Sequence, residues 1–203
     1  MPFLELPPIS TAVVAAGWQD PTNAYAFDNS YAYSETSTAE QSYDYQAALT
    51  GSEVIDKVFA RIKYIPKLTG VLTGDDATLT FTLKVYDGST WTNFQVAKLV
   101  YAVTTASDES LTVTVGDNSN SSVSVDVTSV LSTLAKLNSA QTALLTTITA
   151  DAGLTVRVSV DCVSLLVLYH TVGDVFVGKH ASTRRDLEAA PYKAIRKVAQ
   201  ALS

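Results

Sequence analysis

Residues 76–86, DATLTFTLKVY, decide the fold, because apolar and polar side chains alternate through the whole segment. Its apolar residues fall on one side of an extended chain: Leu79, Phe81, Leu83 and Val85. This pattern predicts a strand with one face in a core and the other toward solvent. Asp87-Gly88 follows as a tight-turn signal, and residues 90–103 are predicted to return as the hairpin partner. The alternation breaks within residues 95–100, which predicts a bulge or a bend.

Further strands are predicted on both sides of this hairpin. Residues 54–65 form a long alternating strand with Arg61 and Lys63 on its polar face, and Pro66 is expected to end it. Residues 154–169 are predicted to be a central strand that is covered on both faces. Shorter strands are predicted at 41–49, 109–115, 122–127 and within 142–150, and a helix capped by Thr128 is predicted to run to about Leu137. Strands spaced by about ten residues are typical of a sandwich or a jelly roll.

Composition excludes several functional classes. The 203 residues are 47% hydrophobic, 17% charged and carry a net charge of -6, which argues against a body that wraps nucleic acid. The single cysteine, Cys162, excludes an intrachain disulfide and a multi-cysteine zinc site. With only two histidines, no metal site is predicted, and no motif points to a cofactor.

The N-terminal residues 1–16 are predicted to be an extended arm or an edge strand. They lack a basic n-region, carry Glu5 and contain three prolines, so no signal peptide is predicted. No run of residues is long and apolar enough for a membrane span. Exposed strand edges favour pairing with a neighbour, so the arm is a candidate subunit interface. Its candidate residues are Phe3, Leu4, Ile9 and Val13.

The stretch 17–36, GWQDPTNAYAFDNSYAYSET, combines aromatic rings with acids and amides. The favoured interpretation is that the rings cover one end of the sandwich. The first alternative is a glycan-binding surface built from Trp18, Tyr25, Tyr31, Tyr33 and Trp91. The second is a calcium loop with ligands from Asp20, Asp28, Asn29 and Asp44.

No catalytic residue is predicted. His170 and His180 lie near no recognisable nucleophile motif, and Cys162 within a strand is interpreted as a small buried hydrophobe. Asp161 interrupts an apolar strand, so it either pairs with Arg61 or Arg157 in the interior or faces solvent at a bulge.

The C-terminal segment reverses the charge of the chain. Residues 175–203 contain six lysines and arginines and two acids, or +4, which leaves -6 minus +4, or -10, for the remainder. Apolar residues at helical spacing predict a short amphipathic helix that docks on the sandwich or on a neighbouring subunit. An anionic membrane or a packaged genome is the third alternative partner, because a charge of +4 gives only weak, salt-sensitive attraction. The candidate interface residues are Arg184, Arg185, Leu187, Tyr192, Lys193, Ile195, Arg196, Lys197, Val198 and Leu202.

Several motifs together resemble β-sandwich proteins of virions, the jelly-roll head, tail or spike components of phages and archaeal viruses. The motifs are GWQDPTNAYAFDNSYA at 17–32, IDKVFARIKYIP at 55–66, TLTFTLKVYDGSTW at 78–91, VDVTSVLSTL at 125–134 and LTVRVSVDCVSLLVLY at 154–169. The likeness spans about residues 13–170. The family's Asn before Pro is Asp20 here, so a role of that amide does not carry over.

We therefore expect an all-β protein, a single antiparallel β-sandwich of jelly-roll type with one short helix. The expected divisions are an arm at 1–16, the sandwich at 17–172 and a basic tail with a short amphipathic helix at 173–203. The resemblance implies a capsid, tail or spike component that assembles with copies of itself and with other virion proteins in the host cytoplasm. The alternative function is a carbohydrate-binding or adhesin module that uses the aromatic stretch 17–36.

Overall fold

Two antiparallel sheets of six strands each form the fold in the part of the chain that a computed structural model describes. The structure describes residues 2–47, 49–69, 77–105, 108–113 and 121–171. The first sheet, sheet A, contains β1 (Phe3–Leu6), β3 (Trp18–Gln19), β4 (Ala32–Ser34), β6 (Glu53–Thr69), β10 (Ser121–Asp126) and β12 (Thr155–Thr171). The second, sheet B, contains β2 (Ser10–Ala15), β5 (Thr38–Asp44), β7 (Ala77–Tyr86), β8 (Trp91–Thr105), β9 (Asp108–Val113) and β11 (Gln141–Ala150).

The sheets share one hydrophobic core, which makes the protein a β-sandwich. The rings of Tyr64 in sheet A and Phe81 in sheet B lie 5.2 Å apart between their centroids. Trp18 in sheet A donates from Nε1 to the carbonyl of Leu144 in sheet B at 3.2 Å. The predicted all-β sandwich is confirmed, and the jelly-roll connectivity stays a prediction.

The alternating segment behaves as its pattern predicts. Every second residue of β7 is buried, and β7 pairs with β8 through the turn at Gly88, whose φ of 93° suits glycine. Phe81 pairs with Ala97 whereas Thr82 pairs with Gln95, so Val96 is an extra, bulged residue. The break in alternation therefore marked a bulge, as predicted.

Strand β12 is the centre of sheet A. It pairs with β6 along one edge and with β1 and β4 along the other. Its residues 160–165 are all buried, which confirms a strand covered on both faces.

Two local predictions are wrong. Pro66 does not end β6, which continues to Thr69. Among the described residues β6 pairs with β10 only as far as Tyr64, so Pro66 is paired there with β12 alone, and a strand with one unpaired side tolerates a missing N–H.

The short helix begins later than predicted. It is α1 (Leu134–Asn138), capped by Thr133, whose Oγ1 accepts from Lys136 N at 3.3 Å. Thr128 instead accepts a bond from Val58 N at 3.0 Å and holds the preceding turn against β6. A threonine engaged with a neighbouring strand is not free to cap a helix.

Candidate interaction surfaces

A polar cluster on the outer face of sheet A joins the N-terminal strand and the aromatic stretch to the central strands. Cys162 pairs with Lys63 and Ser164 pairs with Arg61, so these four residues share the face opposite the core. Asp161 is the bulged residue between the pairs of Val160 and Cys162. The bulge lets Asp161 and Cys162 turn to the same side.

Asp161 is a fully buried carboxylate with two partners. Its Oδ2 accepts from Lys63 Nζ at 2.5 Å, and its Oδ1 accepts from the backbone N–H of Asn29 at 2.7 Å. Asn29 adopts a left-handed φ of 63°, and its own Oδ1 accepts a second bond from Lys63 Nζ at 3.1 Å. The hydrogen bond to Asp161 raises the pKa of Lys63. These bonds fix the loop before β4 on the outer face of the sheet.

The predicted partners of Asp161 are wrong, because both arginines have other carboxylates. Arg61 pairs with Glu5 at 2.9 Å, and Arg157 pairs with Glu35 at 2.5 Å. Sequence reasoning missed Lys63 because only the bulged register of β6 and β12 decides which cation faces the carboxylate. Of the two alternatives, a buried carboxylate paired with a cation is confirmed, with Lys63 in place of an arginine, and Asp161 lies at a bulge without facing solvent.

Strand β1 is held by the same face. Glu5 Oε1 accepts from Arg61 Nη1 and from Ser164 Oγ, each at 2.9 Å. The guanidinium of Arg61 lies 5.1 Å over the ring of Phe27. We call this set the outer-face network: Glu5, Phe27, Asn29, Arg61, Lys63, Asp161 and Ser164.

Cys162 lies under the aromatic stretch, where Tyr25 forms a β-bridge to it. Burial, with the nearby Glu5 carboxylate, raises the pKa of its thiol to about 12, so it is a buried and protonated thiol. His170 is exposed and bonds through Nδ1 to Asp56 at 2.9 Å. His180 lies outside the described residues. Among the described residues, neither Cys162 nor His170 forms a pair of catalytic nucleophile and base.

The predicted arm is two strands on the two sheets of the same chain. Leu4 packs against the core from β1, and Leu6 is buried. Pro7 and Pro8 link β1 in sheet A to β2, whose pairing partner within the described residues is β5 in sheet B. The arm therefore belongs to the sandwich, and its strand β2 lies at the edge of the described sheet B.

Four large apolar side chains of this region are exposed. The exposed fractions are 66% for Phe3, 56% for Ile9, 67% for Val13 and 56% for Val14. Val14 was not predicted, and the register shift between Val13 and Ala15 explains its exposure beside Val13. The C-terminal candidates, and the predicted helix that carries them, lie outside the described residues.

The candidate glycan-binding rings are divided between the two sheets. Trp18 is buried, and Tyr25 packs edge-on against Tyr43 with centroids 6.4 Å apart. Tyr33 lies in β4 under Arg157, at 4.3 Å, and half-buried Tyr31 precedes it. Trp91 lies in β8, beside Tyr86 and Lys84. The structure assigns Trp18 and Tyr25 to packing and joins none of these rings into one platform.

The candidate calcium ligands have separate local partners. Asp28 accepts from Ser30 N at 2.8 Å, and Asp44 accepts from Gln141 Nε2 at 2.7 Å. Asp20 is the left-handed residue before a 3₁₀ turn at Pro21–Ala24. Within the part of the chain that the structure describes, no three acidic, histidine or cysteine side chains gather as metal ligands.

Comparison with known proteins adds little. No family model and no curated protein matches the sequence. Among solved structures, the chain is similar to one from the structure of infectious bursal disease virus Gt strain, with 11% identity and a TM-score of 0.25. The match covers 85% of this chain and 34% of that one, so this chain spans about a third of its length. No described helix is long and apolar enough to cross a membrane.

Proposed function

We propose that this protein is a virion structural component and that it acts by assembly of copies through the free edge of strand β2. The observation that supports assembly is the uncharged and exposed composition of this edge strand. Residues 10–15, STAVVA, contain no charged side chain, and Val13 and Val14 are both more than half exposed. The virion setting rests on the sequence resemblance.

An unprotected edge strand favours pairing with another strand. Sheet proteins usually protect their edges with lysine, proline or a bulge, because unpaired N–H and C=O groups template association. In β2 the bulge lies at Val14, so Ser10–Val13 remains a regular stretch with one edge unpaired in the described chain.

The partner proposed for this edge is β2 of a second copy. Two such edges related by a two-fold axis pair antiparallel, and each unpaired backbone group then finds its equivalent on the other chain. The exposed valines of both chains cover one another in this arrangement. Sheet B of each copy would continue into sheet B of the other.

The other contacts within a particle would be made by the C-terminal segment and by other virion proteins. The basic segment 175–203, at +4, complements a body at -10, which favours docking of the tail on a neighbouring sandwich. Assembly would take place in the host cytoplasm, in keeping with the resemblance.

The test is the solution mass of three proteins, measured by light scattering after size exclusion. Val13→Lys places a charge on the edge and is expected to give a smaller species than wild type, with the circular dichroism spectrum of a folded protein. Val54→Lys is the matched control, because Val54 is 41% exposed on β6 of the other sheet. It is expected to keep the wild-type mass.

Two results would overturn parts of this proposal. A wild-type protein that stays monomeric at high concentration contradicts assembly, and wild-type mass for Val13→Lys contradicts the β2 contact. Deletion of the arm is a poorer test, because it also removes β1 and the buried Leu6 from sheet A.

A further inference from the structure

Lys63, Asn29 and Asp161 form a closed set of contacts around one amine. Lys63 Nζ donates to Asn29 Oδ1 at 3.1 Å and to Asp161 Oδ2 at 2.5 Å, while Asp161 Oδ1 holds the backbone N–H of Asn29 at 2.7 Å. The three groups can form a new amide bond, with the amine as nucleophile, the side-chain amide as electrophile and the buried carboxylate as proton carrier.

We propose that Lys63 and Asn29 become joined by an isopeptide bond after folding, with Asp161 as the proton carrier. The bond would connect Lys63 Nζ to Asn29 Cγ. It would fasten the loop before β4 covalently to β6.

The reaction balances without an external reagent. Asp161 takes a proton from the Lys63 ammonium, and the lone pair of Nζ then attacks Asn29 Cγ to form the new N–C bond. The Cγ–Nδ2 bond breaks, and Asp161 returns the proton to the leaving nitrogen. The attacking nitrogen gives its second extra proton to the departing ammonia as the amide forms, so the products are the isopeptide and one ammonium ion. Asp161 ends as the carboxylate with which it began.

The geometry supplies the alignment that such a reaction needs. Asn29 Cγ is one bond from the oxygen that Nζ already contacts, so a small rotation of the amide brings the two reacting atoms within attack distance. Asp161 controls both partners, since one oxygen holds the amine and the other holds the backbone of Asn29.

Burial favours the proton transfer that starts the reaction. Asp161 is fully buried, and the Lys63 side chain is 21% exposed, so separated charges are poorly solvated there. The ion pair nevertheless raises the pKa of Lys63, which keeps the amine mostly protonated. The bond is therefore expected to form slowly in folded protein.

A covalent link here would stabilise the fold in the way that a disulfide bond stabilises other proteins. The chain has one cysteine and cannot form an intrachain disulfide. A bond between residues 29 and 63 closes a long loop and restricts the unfolded chain, which stabilises the fold. Assembly through β2 does not depend on it.

The experiment is the intact mass of the purified full-length chain, fresh and after prolonged warm incubation. The wild-type mass is expected to fall below the mass of its sequence by one ammonia molecule. Lys63→Arg, which keeps the cation but has no primary amine, and Asn29→Ala are expected to keep their full masses. Asp161→Asn is expected to keep its full mass or to change far more slowly. Circular dichroism establishes that each variant is folded.

Peptide mapping separates the isopeptide from a succinimide at Asn29, which also loses ammonia. A branched peptide that contains both Asn29 and Lys63 supports the proposal. Full mass in incubated wild-type protein overturns it. Equal ammonia loss in Lys63→Arg also overturns it, because that loss cannot involve the amine.

Discussion

Asp161→Ala is the substitution that most directly measures what the buried carboxylate contributes. It is best made in a Lys63→Arg background, which keeps a cation but has no amine that could form an amide. The carboxylate accepts two bonds, one from the cation and one from Asn29 N, and bonds to charged groups contribute about 1.5–3 kcal/mol each. Asn29 is exposed and can rehydrate, and removal of Asp161 also relieves its own desolvation.

The net loss expected for Asp161→Ala is about 2–3 kcal/mol in the free energy of unfolding. For a chain of this length this lowers the melting temperature by about 5–10 °C, measured by differential scanning calorimetry at pH 7. Glu35→Gln is the control, since Glu35 and Arg157 are 38% and 41% exposed and such a pair contributes less than about 1 kcal/mol. Equal effects of the two substitutions would refute the role given to Asp161.

Three further predictions concern other buried or bonded groups. Among the described residues Tyr43 Oη is buried without a hydrogen-bond partner, whereas Tyr45 Oη bonds Thr142 Oγ1 at 2.7 Å. Urea denaturation of Tyr43→Phe is therefore expected to give an unchanged or higher free energy of unfolding. For Tyr45→Phe the free energy of unfolding is expected to fall by about 1 kcal/mol. A larger loss for Tyr43→Phe than for Tyr45→Phe would contradict these hydrogen-bond assignments. The thiol of Cys162, with its pKa raised to about 12, is expected to react with iodoacetamide at pH 8 only after unfolding, and rapid labelling of folded protein would show that it is accessible. A threonine hydroxyl and a lysine lower the pKa of Asp126 from 3.8 to about 2, so its contribution to stability is present above pH 4 and is lost as the pH falls toward 2. Asp126→Asn should weaken that acid dependence, and an unchanged pH profile of the melting temperature would count against it.

Much of the sandwich follows from local pattern. The alternation in β7 fixes which side chains enter the core, and the Asp87-Gly88 pair fixes the hairpin to β8. The prediction of β12 as the central strand also needed only its long apolar run. These features depend on residues that are close in sequence, so local sequence patterns are enough to predict them.

The contacts between distant segments could not be predicted in the same way. The partner of Asp161 depends on a bulge that shifts the register of β12 against β6. The passage of β6 beyond Pro66 depends on its pairing with β12, and the start of α1 depends on Thr128 bonding to Val58, 70 positions away. Each is decided by pairing in three dimensions and not by the propensity of the residue itself.

The candidate surface was predicted only in part. Ile9 and Val13 were identified from their place in an apolar arm, but Val14 is exposed because of a bulge that no local motif marks. The aromatic stretch was correctly interpreted as packing for Trp18 and Tyr25.

The central claim is that copies of this chain assemble through the edge of β2. The most direct measurement is sedimentation equilibrium of the wild-type full-length protein over a wide concentration range. The account predicts a mass that rises with concentration to a multiple of the monomer mass, and Val13→Lys should shift that rise to higher concentration. A wild-type mass equal to the monomer at every concentration would contradict it.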